Sequence, residues 1–177
     1  MIKVFVTGPP GIGKTTCVIK LYETLTIYNY RVGGFVSEEI RKNGYRVGFK
    51  VRDLSSGSET LLASIYEKTM HRIGKYYVKL EDFNNFLESL EKFDEYDLII
   101  IDEIGPMEML STKFKSLVTD ILRSEIPAVF TVHINISNKL RNLFSTDKPN
   151  ILFKLTKENR GAMPYIIWRE IQRYIRK

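Results

Sequence analysis

Cysteine is nearly absent. The 177 residues contain one, Cys17, so no internal disulfide framework can form. Histidine is almost as scarce, with only His71 and His133, and these residues offer no zinc-ligand spacing. No apolar run approaches the roughly 20 residues of a membrane span. The first apolar run, Val4-Phe5-Val6, breaks at Thr7-Gly8; it is too short for the core of a secretory leader, and no small-residue cleavage site follows. The expectation is a cytoplasmic protein with no membrane partner. Repeats, low-complexity stretches and linkers are also missing, which predicts a single domain over residues 1–177.

Hydrophobic residues make up 44% of the chain and charged residues 27%, the profile of a globular protein rather than a disordered one. A chain of this length buries roughly 70% of the surface it exposes unfolded. The net charge is +6, which favours anionic partners. Nucleic acid is not indicated, because no RNA or DNA signature accompanies the charge. No feature of the sequence fixes an oligomeric state.

The chain opens with a β-type run at 2–7, a glycine-proline loop at 8–13 and a helical pattern at 14–28, with Val18, Leu21, Leu25 and Tyr28 on one face. A second strand is predicted at 31–37. Strand, glycine loop, helix, strand begins a βαβ unit and implies a parallel sheet. The turn signal Lys42-Asn43-Gly44 lies between two strand-like runs, predicting an inserted antiparallel hairpin over about 36–54, with 76–80 extending its edge. Further helices are predicted at 81–93, 110–124, 136–144 and 163–176. Further strands are predicted at 97–101, 127–132 and 151–155. The alternation predicts a three-layer α/β fold with a mainly parallel sheet.

Gly8-Pro9-Pro10-Gly11-Ile12-Gly13-Lys14-Thr15 matches the phosphate-binding pattern G-x-x-x-x-G-K-[ST] in full, between a strand and a helix. Glycines let the backbone wrap so that successive N–H groups point at phosphate oxygens. The helix start adds the positive end of its dipole. Lys14 is expected to reach the β- and γ-phosphates, and the Thr15 hydroxyl to bind Mg²⁺. Cys17, on the same helix, reads as a small packing residue.

Asp97-Leu98-Ile99-Ile100-Ile101-Asp102-Glu103 reads as a strand buried on both faces that ends in two acids. Asp102 is the second expected metal residue, acting through the ion's water shell. Glu103 is expected to aim at a water in line with the γ-phosphate. Ligands of open α/β sheets sit at strand carboxyl ends, where Thr7, Ser37, Asp102 and His133 all fall.

The blocks from Gly8 to Thr16, Gly34-Phe35-Val36-Ser37-Glu38-Glu39-Ile40-Arg41, Arg46-Val47-Gly48-Phe49, Ile73-Gly74-Lys75-Tyr76-Tyr77-Val78, Asp102-Glu103-Ile104-Gly105-Pro106-Met107-Glu108 and Glu158-Asn159-Arg160 occur in order. Together they resemble the THEP-type, or cancer-related, nucleoside-triphosphatases over nearly the whole chain. The resemblance implies slow Mg²⁺-dependent hydrolysis of several nucleoside triphosphates with little base selectivity. It also implies a P-loop NTPase fold of the RecA/AAA+ branch. It carries the phosphate segment onto Gly8 to Thr15 and a second nucleotide-side segment onto the strand from Ile99 to Pro106, with Asp102, Glu103, Ile104, Gly105 and Pro106 as the expected contacts. Pro106 stands where the family usually has lysine, and Gly161 where an acid is usual. Asn84 replaces a common glutamate and reads as structural.

Charge growing on the transferred phosphoryl calls for a cation, and Arg41, Arg46 and Lys75 are the candidates. His133, with Thr131, is the candidate γ-phosphate sensor. Asn159 and Arg160 follow the last strand, where P-loop folds often hold the base. Asn159 would bond a base edge or cap a helix, and Arg160 would stack on the base. Two other functions compete with hydrolysis: a nucleotide or small-molecule kinase, and a nucleotide-dependent switch or RNA-associated protein.

Overall fold

The computed structural model describes residues 1–90, 93–134 and 150–175. Strands are β1 (Lys3–Gly8), β2 (Val32–Lys42), β3 (Tyr45–Asp53), β4 (Glu59–Ser64), β5 (Arg72–Ile73), β6 (Tyr76–Val78), β7 (Leu98–Ile104), β8 (Ala128–His133) and β9 (Asn150–Lys154). Helices are α1 (Lys14–Ile27), α2 (Leu80–Ser89), α3 (Thr112–Arg123) and α4 (Met163–Ile171).

The strands form one sheet in the order β5-β6-β4-β3-β2-β7-β8-β1-β9. The central run from β2 to β9 pairs in parallel throughout. From β2 outward to β5 every pairing is antiparallel. Strand β2 belongs to both parts. Its first residues, Val32 to Phe35, run beside β7, and its later ones form the hairpin with β3.

Period-two alternation explains the layers. In β1, Phe5 joins one core while Val4 and Val6 join the other; in β7, Ile99 and Ile101 oppose Leu98 and Ile100. Helices α2 and α3 cover the first face through Phe83, Phe86, Phe114 and Val118. Helices α1 and α4 cover the second through Val18, Leu21, Ile167 and Ile171. The first core centres on Phe35, whose ring meets Phe86 edge-on at 5.6 Å and Phe83 at 6.0 Å. Such aromatic pairs contribute about 1 kcal/mol each beyond their buried area. The second core holds Cys17, fully packed as expected.

The antiparallel part is larger than the predicted hairpin, because β4 and β5 extend it. Residues 59–64, Glu-Thr-Leu-Leu-Ala-Ser, lack an alternating pattern, and β4 is held by its pairing with β3 and β6 instead. Several helices are shorter than predicted: α2 stops at Ser89, α4 stops at Ile171, and α3 spans only Thr112–Arg123. The helix expected at 136–144 lies outside the described residues.

Asn84 has the structural part expected of it. Its Oδ1 accepts from the Ser111 hydroxyl at 2.6 Å, and Ser111 Oγ in turn caps α3 by accepting from Phe114 N–H at 3.0 Å.

Candidate active site

The glycine loop follows β1 directly. Gly11 and Gly13 take positive φ, 75° and 108°, a conformation that side-chain-bearing residues rarely adopt. Gly13 precedes α1, whose start has no side-chain cap and no acid in its first turn. The orphan N–H groups of that turn therefore remain available to an anion. Gly8 is needed for a different reason: a Cβ there would lie 2.9 Å from the Leu155 carbonyl oxygen.

Lys14 is buried at the cavity floor, and its Nζ lies 3.4 Å from Glu103 Oε1 on β7. That Oε1 is buried and has no hydrogen-bond partner. Burial pushes the Glu103 carboxyl up from its ordinary value, and the Lys14 charge opposes the shift.

Asp102 is wholly buried one residue earlier. The Thr131 hydroxyl donates to its Oδ1, the Ser37 N–H donates to its Oδ2 at 3.2 Å, and Thr15 supplies a further side-chain hydrogen bond. Burial, helped by the neighbouring Glu103 charge, raises its pKa to about 6 against these hydrogen bonds. Asp102 thus stands behind Thr15, while Thr15 faces the cavity. The oxygen donors here suit Mg²⁺, which keeps several waters and takes one or two protein ligands plus phosphate. Among the described residues, no cluster of three or more His, Cys, Asp or Glu forms a complete metal cage.

Glu108 is the acid that the sequence did not reveal as part of the site. A short 3₁₀ turn, Glu108–Leu110, buries it against the loop after β7. Its Oε2 would lie 2.7 Å from a Cβ at Gly105. Burial, helped by the Glu103 and Asp102 charges, pushes its pKa to about 8. Its only sequence signal was membership of the block beginning at Asp102.

The cavity has a volume of about 650 Å³. It brings together the loop residues Pro10, Gly11, Gly13, Lys14, Thr15 and Thr16, the acid Glu103, and Gly105, Pro106 and His133. Arg41 and Arg46 also reach it, from the hairpin. Both are held by one acid: Arg41 meets Glu39 Oε2 at 2.6 Å and Arg46 meets Glu39 Oε1 at 2.7 Å. Arg41 also donates to the Gly44 carbonyl at 3.0 Å. His133 lines the cavity, and burial followed by the Lys14 charge keeps its pKa below the ordinary value.

Other expected residues lie elsewhere. Gly8, Pro9, Ile12 and Ile104 do not line the cavity, and neither do Lys75 and Arg160. Lys75 sits over the Tyr76 ring, its Nζ 5.4 Å from the centroid. Thr131 is buried and does not line the cavity; its hydroxyl donates to Asp102. The Asn159 amide is engaged at its own turn: Oδ1 accepts from Thr156 N–H at 2.8 Å, and Nδ2 donates to the Lys154 carbonyl at 2.9 Å.

A glycine loop entering a helix, faced by an acidic strand end, is the arrangement of P-loop nucleotide-binding proteins. Comparison with known proteins narrows this class. Residues 3–168 match a family model described as NTPase. A nucleoside-triphosphatase THEP1 from Sulfolobus acidocaldarius is 46% identical over 136 residues, spanning 76% of this chain and 78% of that protein. The protein of the same name from Methanocaldococcus jannaschii is 41% identical over 164 residues, 92% of each. The crystal structure of THEP1 from Aquifex aeolicus superposes with a TM-score of 0.82 at 32% identity, covering 96% of this chain and 99% of that one. The chain therefore belongs to the THEP1 family of nucleoside-triphosphatases.

Proposed function

We propose that the protein is a Mg²⁺-dependent nucleoside-triphosphatase that releases phosphate slowly and with little preference among bases. The observation that carries this reading is the facing of Lys14 and Glu103 across 3.4 Å, above the Thr15–Asp102 pair. Hydrolysis by its relatives' family supports the enzymatic class.

In this reading the N–H groups of the glycine loop and α1 hold the β- and γ-phosphates, and Lys14 neutralises them. Thr15 would hold Mg²⁺, with Asp102 fixing the Thr15 hydroxyl from behind. The ion, when bound, would neutralise charge on the triphosphate. The Glu103 carboxylate, whose side chain is 27% exposed, accepts a hydrogen bond from the attacking water and aligns it with the γ-phosphorus. Its raised pKa makes it a stronger base than a solvent-exposed glutamate. His133 would meet the γ-phosphate at the end of β8. Arg41 would have to leave Glu39 to reach the developing charge, which supports a slow reaction. Low base selectivity is supported by Asn159 being spent on its own turn and by Arg160 lying off the cavity.

Strand order supports the RecA/AAA+ branch, because β8 lies between the loop strand β1 and the acidic strand β7. The continuous sheet supports reading the chain as one domain.

The test is phosphate release from ATP, GTP, CTP and UTP, with Mg²⁺ and with EDTA. Comparable release from all four with Mg²⁺, and none with EDTA, is expected. Equal release with EDTA, or release from one nucleotide alone, would overturn the reading.

A further inference from the structure

The cavity extends well past the phosphate loop. Its near end is formed by Gly11 and by Gly13 to Thr16, and its far end by Glu39, Arg46, Phe49, Ile73 and Tyr76 under the antiparallel strands. In the sheet, β2 and β3 follow β7 on the side away from β8 and β1. Glu103, on β7, therefore stands between the two ends. A triphosphate whose terminal phosphate meets Lys14 and Glu103 carries its nucleoside at the opposite end of the phosphate chain. With that nucleoside toward β1 and β9, on the other side of β7 from β2 and β3, the far end would stay open.

The far end has the features of a site for a small ring-bearing anion. The Arg46 guanidinium lies 5.1 Å from the Phe49 ring centroid and 5.7 Å from that of Tyr76. Its Nε donates to the Tyr76 hydroxyl at 2.9 Å and its Nη1 to Glu39 at 2.7 Å. These contacts fix the plane of the group. Nη2 has no partner among the described residues, and the side chain is 41% exposed at the cavity wall. A clamped guanidinium with free N–H groups suits a phosphate or carboxylate. Phe49 and Ile73 add an apolar wall for a flat ring. The whole cavity, phosphate-loop end included, has a volume of about 650 Å³, in the middle of the range of small-molecule sites.

We propose that the far end of the cavity is a second-ligand subsite, separate from the triphosphate site, for a small ring-bearing phosphate of the nucleoside monophosphate class. Arg46 holds the ligand's anionic group, and Phe49 and Ile73 hold its ring. The proposal rests on the reading that the triphosphate occupies the glycine loop.

Calorimetric titration separates the two readings. The full chain is first titrated with AMP-PNP and Mg²⁺; failure at this step defeats the triphosphate reading itself. The loaded protein is then titrated with AMP, GMP, CMP and UMP in turn. At least one is expected to bind the loaded protein with one-to-one stoichiometry. Arg46→Gln and, independently, Phe49→Ala are each expected to weaken that binding at least tenfold, in variants whose circular dichroism shows a native fold. Two variants are used so that misfolding of one leaves the other decisive. Binding of the monophosphates only to the empty protein, with displacement by AMP-PNP, would assign the far end to the first nucleotide and overturn the proposal. So would no binding at all, or unchanged affinity in the folded variants.

Discussion

The Lys14 ammonium stands 3.4 Å from Glu103 Oε1, a carboxylate oxygen that is buried and accepts no hydrogen bond. The loop cation and the acid of β7 are thus assembled before any ligand arrives, and the acid is left with an open acceptor. The side chain as a whole is 27% exposed, so water can still reach its carboxylate. Glu103→Gln keeps the size of the side chain but removes its basicity. Turnover should fall by about a hundredfold to ten-thousandfold, the range that general-base catalysis supplies. Binding of AMP-PNP should persist, because the loop is untouched. Phosphate release near the wild-type rate would remove Glu103 from the mechanism.

Thr131 tests the layer beneath. Its hydroxyl donates to Asp102 in a fully buried setting. Thr131→Val preserves shape and deletes the donor. Hydrogen bonds to buried charged groups contribute about 2 kcal/mol, so stability by urea denaturation should drop by about that amount. If Asp102 reaches the metal through Thr15, the Mg²⁺ concentration needed for half-maximal activity should also rise. Unaltered Mg²⁺ dependence would show that Thr131 supports the fold alone.

These two layers differed in how far the sequence disclosed them. The loop, Lys14, Asp102 and Glu103 were legible because contiguous spacing encodes them: a glycine pattern between strand and helix, and acids at the end of a buried strand. The central parallel strands were legible from apolar runs. Residues 59–64 were not, since β4 depends on non-local pairing rather than on its own alternation. Glu108 was hidden because its burial arises from a 3₁₀ turn folding back on Gly105. Arg41 and Arg46 were recognised as candidates, but their shared tether to Glu39 depends on hairpin register, which residue type does not reveal.

Two groups of carboxyls set opposing pH dependences for the ligand-free protein. Burial raises Glu108 to about 8 and Asp102 to about 6. A raised folded-state value means that the native state binds more protons than the unfolded chain between the two values. Stability from these groups is therefore full below about pH 4 and is lost as pH rises through 6 and then 8. Glu38 and Glu39 act oppositely. Burial pushes both up, but ion pairs with Arg52 and Lys50, and with Arg46 and Arg41, outweigh it and leave both lowered. Their contribution is present above the ordinary glutamate value and is lost as pH falls through their lowered values. Thermal unfolding in EDTA should thus show highest stability near pH 5, with Tm declining toward pH 8.5. Glu108→Gln should flatten the upper part of that decline. A Tm that rises steadily from pH 5 to 8.5 would contradict this assignment.

Gly34 tests the junction of the parallel and antiparallel parts. It pairs with Ile100 in β7 and takes φ 97°. A Cβ at this position would lie 2.0 Å from the Ile100 carbonyl oxygen. Neither partner can yield, because both belong to the sheet backbone. Gly34→Ala should cost about 3 kcal/mol or more, through strain and a displaced strand pair. Gly44→Ala is the control: it also has positive φ, but its Cβ meets nothing within 4 Å. Its cost should stay near 1 kcal/mol. Equal denaturation midpoints for the two variants would refute the steric argument.

Asn159 decides between recognition of a base and support of a turn. Its amide bridges Thr156 N–H and the Lys154 carbonyl, fastening the chain between β9 and α4. If that is its whole task, Asn159→Ala should lower stability by about 1 kcal/mol, as the loss of a capping side chain does. KM for ATP and for GTP should then shift together, by less than about threefold, because the loop moves equally for both. A base-edge contact behaves differently. Adenine and guanine present different donors and acceptors, so removing a partner for one would change the ratio of the two kcat/KM values by about tenfold, the equivalent of roughly 1.4 kcal/mol. Parallel kinetics on both nucleotides, with wild type and variant, separate these outcomes. A ratio that stays constant while Tm falls identifies Asn159 as a fastening of the turn.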